Sequence, residues 1–241
     1  MSDSCQQHTK ATEALDPRLR AGDLVLSDFD GTVTLTDTGW VVFDALGLKE
    51  AWDWEYRWRD GEISSMECLA AQWSLVDLPR EELLEIVDGA GLDEAFPEFV
   101  KRARAVGAEV VVLSDGLDFY LDRMLARLGF SVCPGDPNGD NSCLTRYVNH
   151  AEFTDEGIRI SFPHRDADCD LCGNCKSAHL ERLRQRFERV IYIGDGYSDR
   201  CPAERSDLVF AKDHLAQLLG EKGLPYLPFE SFEDIIRVTL E

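Results

Sequence analysis

The sequence predicts an α/β protein, a doubly wound parallel sheet with a helical insertion. Three observations lead there. Leu24-Val25-Leu26-Ser27 is a short apolar run that ends in Asp28-Phe29-Asp30-Gly31. A second run, Glu109 to Leu113, ends in Ser114-Asp115-Gly116, and a third, Val190 to Ile193, ends in Gly194-Asp195-Gly196-Tyr197-Ser198-Asp199. Short apolar runs closed by turn residues read as strands buried on both faces. Helical patterns separate them, as parallel crossovers require. Open sheets of this kind bind ligands outside the carboxyl ends of their strands, where all three polar segments fall.

In chain order, residues 1–20 read as a polar lead-in. Gly31 lets the chain bend after the first strand, so that Asp28 and Asp30 offer two carboxylates at one spot in distinct roles. Thr36 to Leu48 reads as a helix, with Thr36 or Asp37 as its cap and Gly47 near its end. In Ala51 to Trp58 the aromatics alternate as in a strand, but the surroundings rich in Glu, Ala, Leu and Met favour a helix. Ser64 to Val76 is helical, opened by Ser64 or Ser65 and Glu67. Pro79 to Val87 is helical too, with acidic residues in its first turn. Residues 38–95 therefore form a small helical insertion, and 1–37 with 96–241 form the sheet domain. The tryptophans of the insertion either pack its core or line a pocket. Phe96 to Gly107 and Leu117 to Leu128 are helices on either side of the second strand. Phe130 to Cys143 is loop-rich, and Tyr147 to Phe153 with Ile158 to Phe162 reads as a hairpin. His164 to Lys176 is a cysteine-bearing loop, Ser177 to Glu188 a helix, Leu208 to Ala211 a last short strand, and Ser231 to Leu240 a closing helix.

The 241 residues carry a formal net charge of −21. No basic cluster appears, which argues against a nucleic-acid partner. An acidic chain also repels anionic membranes and phosphorylated ligands at long range, so any phosphate site must be local and helped by a cation or backbone amides. Residues 1–22 lack an apolar export segment and no run is long enough to span a membrane, so a cytoplasmic protein is expected. On that footing the eight cysteines read as thiols or metal ligands rather than disulfides.

Three strand ends that converge with Asp28, Asp30, Asp195 and Asp199 would repel one another without a divalent cation, and an oxygen-only donor set suits Mg²⁺. A carboxylate in such a site can serve as the nucleophile of phosphoryl transfer. Asp28-Phe29-Asp30-Gly31-Thr32-Val33-Thr34, Ser114-Asp115-Gly116, Lys176 and Gly194-Asp195-Gly196-Tyr197-Ser198-Asp199 resemble, in order, the four motifs of the haloacid dehalogenase superfamily. The resemblance covers roughly residues 22–240. It implies a Rossmann-like core and a phosphatase that works through an aspartyl-phosphate. Asp28 would be nucleophile and Mg²⁺ ligand. Asp30 would bind the metal through its carbonyl and act as general acid, then base. Ser114 and the Asp115 amide would hold phosphate oxygens. Lys176 would neutralise Asp28 and phosphate, Asp195 would bind Mg²⁺, and Asp199 would support that shell.

The insertion resembles the C1 cap of the phosphoserine phosphatase-like branch. Asn149 to Phe153, Ile160 to His164, the cysteines before Lys176 and Phe210 to Asp213 are similar to the methionine-salvage phosphatases for 2-hydroxy-3-keto-5-methylthiopentenyl 1-phosphate. Phosphoethanolamine/phosphocholine phosphatases share the cysteines. The branch's carboxylate-binding cap arginine is replaced here by Ala70 or Ala71, which weakens a phosphoserine reading. Asp37 stands where the branch has an acidic residue reaching the substrate, and it is equally placed to cap a helix. Asp115 stands where relatives often have glycine, so its carboxylate must turn away from phosphate. Cys169, Cys172 and Cys175 have metal-ligand spacing. They would make a structural Zn²⁺ site with His164, Cys133 or Cys143 as a fourth ligand, or a loop of buried thiols. The expected partner is a small phosphorylated metabolite. A non-catalytic protein on the same fold, a dehalogenase or a mutase are the competing readings.

Overall fold

The computed structural model describes residues 16–133, 135–137 and 141–241. Most of the polar lead-in, with Cys5, and parts of the turn-rich 130–143 stretch lie outside them. In order, the elements are β1 Asp23–Ser27, α1 Thr38–Ala45, α2 Ala51–Arg59, α3 Ser65–Ser74, α4 Arg80–Asp88, α5 Phe96–Ala105, β2 Glu109–Leu117 and α6 Asp118–Arg127. There follow β3 Val132–Cys133, β4 Leu144–Thr154, β5 Gly157–Ser161, α7 Lys176–Arg184, β6 Arg189–Gly194, a single 3-10 turn Tyr197–Asp199, α8 Arg200–Arg205, β7 Leu208–Ala211, α9 Asp213–Glu221, β8 Leu227–Pro228 and α10 Phe232–Thr239. The sheet runs β3-β4-β2-β1-β6-β7-β8, and β5 pairs with β4. Every pairing is parallel except the β4–β5 hairpin. The chain leaves β1 to one side and returns to its other side with β6, so the switch point lies between β1 and β6.

Strand alternation sorts the core into two layers. Val25, Val110, Val112, Ile191 and Ile193 face a cluster built with α5, α6, α10 and the insertion. Leu24, Leu26, Val111, Val190 and Tyr192 face a smaller cluster built with α7, α8 and α9. Both faces of the central strands are thus covered, as their unbroken apolar runs require.

The insertion leaves and re-enters the sheet through one narrow crossing. Leu35 N donates to Gly91 O (3.0 Å), Asp93 N donates to Val33 O (2.9 Å), and Thr34 bridges Leu92. Its helices start where local chemistry lets them. Asp37 accepts Trp40 N (3.0 Å) at the head of α1. Ser64 and Glu67 form a reciprocal capping box on α3. The alternating aromatics of 51–58 lie on a helix, because Trp52 stacks on Trp40 (centroids 3.7 Å apart) and meets Tyr56 one turn on.

The expected elements are all present, with ends shifted by one to a few residues. The structure adds α8, α9, β3 and β8. Three of these span six residues or fewer, too short for a periodic signal.

One expectation is corrected. Cys133 and Cys143 form a disulfide, with Cα atoms 5.3 Å apart. β3 lies parallel to the start of β4, with Val132 opposite Leu144, and this register brings the two cysteines together. Neither is left as a thiol or as a fourth ligand for the trio. Among the described residues no helix is long and apolar enough to cross a membrane.

Candidate active site

Asp28 immediately follows β1, and its amide still donates to Ile193 O of β6 (2.9 Å), so the strand pairing itself fixes its place at the switch point. Lys176, the first residue of α7, sends Nζ to Asp28 Oδ1 (2.7 Å), Asp199 Oδ1 (2.7 Å) and Ser198 Oγ (3.1 Å). Asp199 is wholly occupied. Oδ1 also accepts the Tyr192 hydroxyl (2.6 Å), and Oδ2 accepts the amides of Asp195 (3.0 Å) and Gly196 (2.9 Å). Asp195 immediately follows β6 and accepts the Thr32 hydroxyl on Oδ1 (2.5 Å). The carboxylates of Asp28, Asp195 and Asp199 have oxygens within 4.8 Å of one another.

Gly31, with φ +79°, turns the chain past this cluster, and a Cβ there would run into Asp195 Oδ2. The turn carries Asp30 out of the trio. Its Oδ2 accepts Tyr120 OH (2.8 Å) and Ser114 Oγ (3.2 Å), and its Oδ1 accepts the amide of Thr38 at the head of α1 (3.2 Å). Ser114 Oγ also accepts Gly116 N (2.9 Å). Gly116 admits no side chain, since a Cβ would meet Tyr120 Oη and Asp30 Oδ2. Asp115 hands its carbonyl to Asn149 Nδ2 (2.7 Å), while its carboxylate oxygen Oδ1 is buried without a partner.

The electrostatics follow from three carboxylates facing one ammonium. Burial and the Asp199 charge hold Asp28 well above the usual carboxylate range, against the pull of Lys176. Burial and Asp199 likewise push Asp195 up to about 7. Burial alone would lower Lys176, but Asp199 and Asp28 raise it well above a lysine's ordinary value. Burial pushes Asp115 up to about 6. A divalent cation fits this set. The donors are all oxygen, the charge is in excess on the negative side, and the bonds to Asp28 and Asp195 fall on Oδ1 of each, leaving Oδ2 in the donor set.

Above the strand ends lies a cavity of about 300 Å³. Its floor includes Asp28, Asp30, Ser114, Asp115 and Asp195, and its roof is aromatic: Trp40, Phe43, Trp52, Trp58 and Trp73. The roof tryptophans do double duty, since Trp73 is also 2% exposed core. Roof meets floor at Tyr197, where Trp58 packs edge-on (centroids 6.4 Å) and the Arg59 guanidinium lies 4.7 Å above the ring. Arg59 is itself paired with Glu55 (2.7 Å). Asp37 faces the cavity while capping α1, so both of its readings are compatible with its position. Ala70 and Ala71 lie on α3 outside the cavity lining.

Sequence reasoning passes over Tyr120, Tyr192, Thr32 and Asn174. Asn174 Nδ2 joins the carbonyls of Ser114 and Tyr147 (2.8 Å each), bridging β2 and β4 where their register shifts. A tyrosine inside an otherwise apolar strand, as at 192, is the one available signal. The others act across long sequence separations that no spacing reveals.

A parallel sheet with an oxygen-donor cluster at its switch point and a helical insertion after its first strand defines the class, a hydrolase of the haloacid dehalogenase superfamily. Its fold matches a solved phosphoserine phosphatase with bound substrate (TM-score 0.67, 19% identity, 90% of this chain and 97% of that one). It also matches a haloacid dehalogenase family hydrolase of Salmonella enterica serovar Typhi (TM-score 0.69, 17% identity, 91% and 72%). Within the superfamily the chain belongs to the family described as "Putative Phosphatase", whose model matches residues 23–216. A 2-hydroxy-3-keto-5-methylthiopentenyl-1-phosphate phosphatase of Bacillus velezensis is 30% identical over 216 residues, 88% of this chain and 87% of its own length. Its namesake in Bacillus cereus is 30% identical over 215 residues, 88% and 93%. The protein is accordingly a phosphatase.

Proposed function

We propose that this phosphatase hydrolyses 2-hydroxy-3-keto-5-methylthiopentenyl 1-phosphate or a close analogue. The observation that carries the reading is the asymmetry of the cavity: an anionic, cation-demanding floor under a roof of aromatic rings. The floor suits a phosphoryl group and the roof suits an uncharged, partly apolar tail. The relatives named for this substrate support it.

In this reading Asp28 attacks phosphorus and the ester P–O bond breaks. The leaving oxygen takes a proton from Asp30, held beside it by Tyr120 and Thr38. Water then attacks the phosphorus of the aspartyl-phosphate and gives its proton to Asp30, the Asp28 O–P bond breaks, and phosphate leaves as the Asp28 carboxylate is restored. Ser114 Oγ and the Asp115 amide hold phosphate oxygens, and Lys176 neutralises charge on Asp28 and phosphate. Mg²⁺, which the fold implies, would be held by Asp28, Asp195 and the Asp30 carbonyl, with Asp199 orienting the set, and would offset the phosphoryl charge. Residues 38–95 act as a cap over the core formed by 1–37 and 96–241. The thiols Cys169, Cys172 and Cys175 stand apart from the reacting atoms as the candidate Zn²⁺ ligands.

A second reading has its own observation. Glu55 and Asp37 lie among the roof aromatics, and such a box also fits an ammonium group, as in phosphoethanolamine or phosphocholine. Phosphoserine fits less well, because the cavity's arginine, Arg59, is already paired with Glu55. Phosphate release from these four esters with Mg²⁺ separates the readings. A preference of at least about tenfold in kcat/KM for the methylthiopentenyl ester, roughly 1.4 kcal/mol, supports the first. The same margin for phosphocholine or phosphoethanolamine replaces it with the second. No turnover of any of the four would overturn both readings and leave a phosphatase for a different ester.

A further inference from the structure

The loop of residues 162–175 between β5 and α7 contains no helix or strand, yet it meets four parts of the molecule. Leu171 O accepts Ser65 N (2.9 Å) and Gly173 N donates to Ser65 Oγ (2.9 Å), so the loop grips the head of α3 in the cap. Asn174 ties β2 to β4. Cys175 immediately precedes Lys176, whose Nζ sits between Asp28 and Asp199. Its own backbone bonding is sparse: Arg165 N to Phe162 O (3.4 Å), and Cys169 N to Asp166 O and Cys175 N to His164 O, both at 3.2 Å. Something other than secondary structure must hold it.

Inside this loop the sulfurs of Cys169, Cys172 and Cys175 lie within 4.8 Å of one another. Cys175 is buried and the other two are half-buried. One disulfide would pair two of the three and leave a thiol over, whereas a single soft cation engages all three.

We propose that Cys169, Cys172 and Cys175 bind one thiophilic divalent cation, Zn²⁺ by the tetrahedral and d¹⁰ character of three-thiolate sites, and that this metal clasps the loop so that Lys176 and the cap helix α3 are held in register. Each thiol exchanges its proton for a metal–sulfur bond, so binding releases protons and no oxidant is needed. The fourth position falls to water or to the Asp166 carboxylate on the same loop. The ring of His164 packs edge-on against Tyr147 and His179 (5.2 Å each). The site is chemically separate from the Mg²⁺ set, which offers oxygen alone.

The clasp's effect on turnover rests on the phosphatase reading; its existence does not, and the test reads metal directly. The full chain, reduced and saturated with Mg²⁺, is titrated with Co²⁺ and then Zn²⁺. The expected result is a thiolate-to-cobalt charge-transfer band that saturates at roughly one equivalent and is displaced by Zn²⁺. Oxygen ligands give no such band. Melting should rise by ~5–10 °C with Zn²⁺. Cys172→Ser should lose the band, and Cys201→Ser, outside the trio, should keep it. Absence of the band in the reduced wild-type chain overturns the proposal even if Cys172→Ser fails to fold. So does a band that survives Cys172→Ser, or a native disulfide within the trio with no metal bound.

Discussion

The floor of the cavity is a closed network. Lys176 is 3% exposed and touches two carboxylates, Asp199 has partners on both oxygens, and Asp30 has three donors. The aromatic rings of the roof are held by contact rather than by such a network. Trp40, Trp52 and Trp58 are all only partly buried, and their rings pack on other rings. The roof is joined to the floor through the 33–35 and 91–93 crossing, through the Thr38 amide on Asp30, through ring packing at Tyr197 and, by way of the 162–175 loop, through hydrogen bonds at Ser65. A preorganised polar floor can stabilise charge without rearranging. An aromatic roof on a narrow crossing can discriminate by shape and can move. The difference is the ground for proposing chemistry at one wall and selectivity at the other.

The largest test is Asp28→Asn. Turnover should fall by at least ~10⁴-fold for every ester alike, while circular dichroism stays native. Residual turnover near the wild-type rate would remove Asp28 from the nucleophile's role. Lys176→Met should cost ~10³-fold in kcat. Unlike the first, it should also cost ~3–5 kcal/mol in urea unfolding, because Asp28 and Asp199 are left buried without a counter-charge. A roof change should behave differently from either. Trp58→Ala should lower kcat/KM for the preferred ester by ~10–100-fold, roughly 1–3 kcal/mol, yet barely alter p-nitrophenyl phosphate. Equal losses on both esters would break the division between walls.

Smaller effects sharpen it. Asp28 and Asp195 have folded pKa values raised above the unfolded ones, Asp195 to about 7. In the metal-free protein the Asp195 contribution to stability is therefore full below about pH 4 and is lost as pH rises through about 7, and Asp28 acts in the same direction. Melting in EDTA should be lower at about pH 8 than at about pH 5.5, and Mg²⁺ should restore more of it at the higher pH. A Mg²⁺ effect independent of pH would argue that the cation binds elsewhere. The smallest expected change is in stability for Asp37→Asn, which keeps the cap on α1 and should stay within ~0.5 kcal/mol by thermal melting. A simultaneous rise in KM would then mark Asp37 as a substrate contact.

The sequence by itself determined the order of the main strands and helices, though not α8, α9, β3 or β8, together with the helical insertion and the polar ends of β1, β2 and β6. Each is written in local chemistry: unbroken apolar runs for strands covered on both faces, capping residues for helices, glycines at the turns. Lys176 was legible too, through its motif context. Tertiary structure alone decided the rest. Tyr120 reaches Asp30 across 90 residues and Tyr192 locks Asp199 from within a strand. Asn174 spans two strands, and the tryptophans of 40–73 turn from a generic apolar face into the roof of a cavity. The cysteines divide the same way. Residues 169, 172 and 175 cluster because their spacing is local, whereas Cys133 meets Cys143 only because β3 is laid beside β4. Spacing along a chain fixes which side chains share an element. Which elements face each other is set by packing between segments far apart in sequence, and that is where the floor acquires its partners and the roof its position.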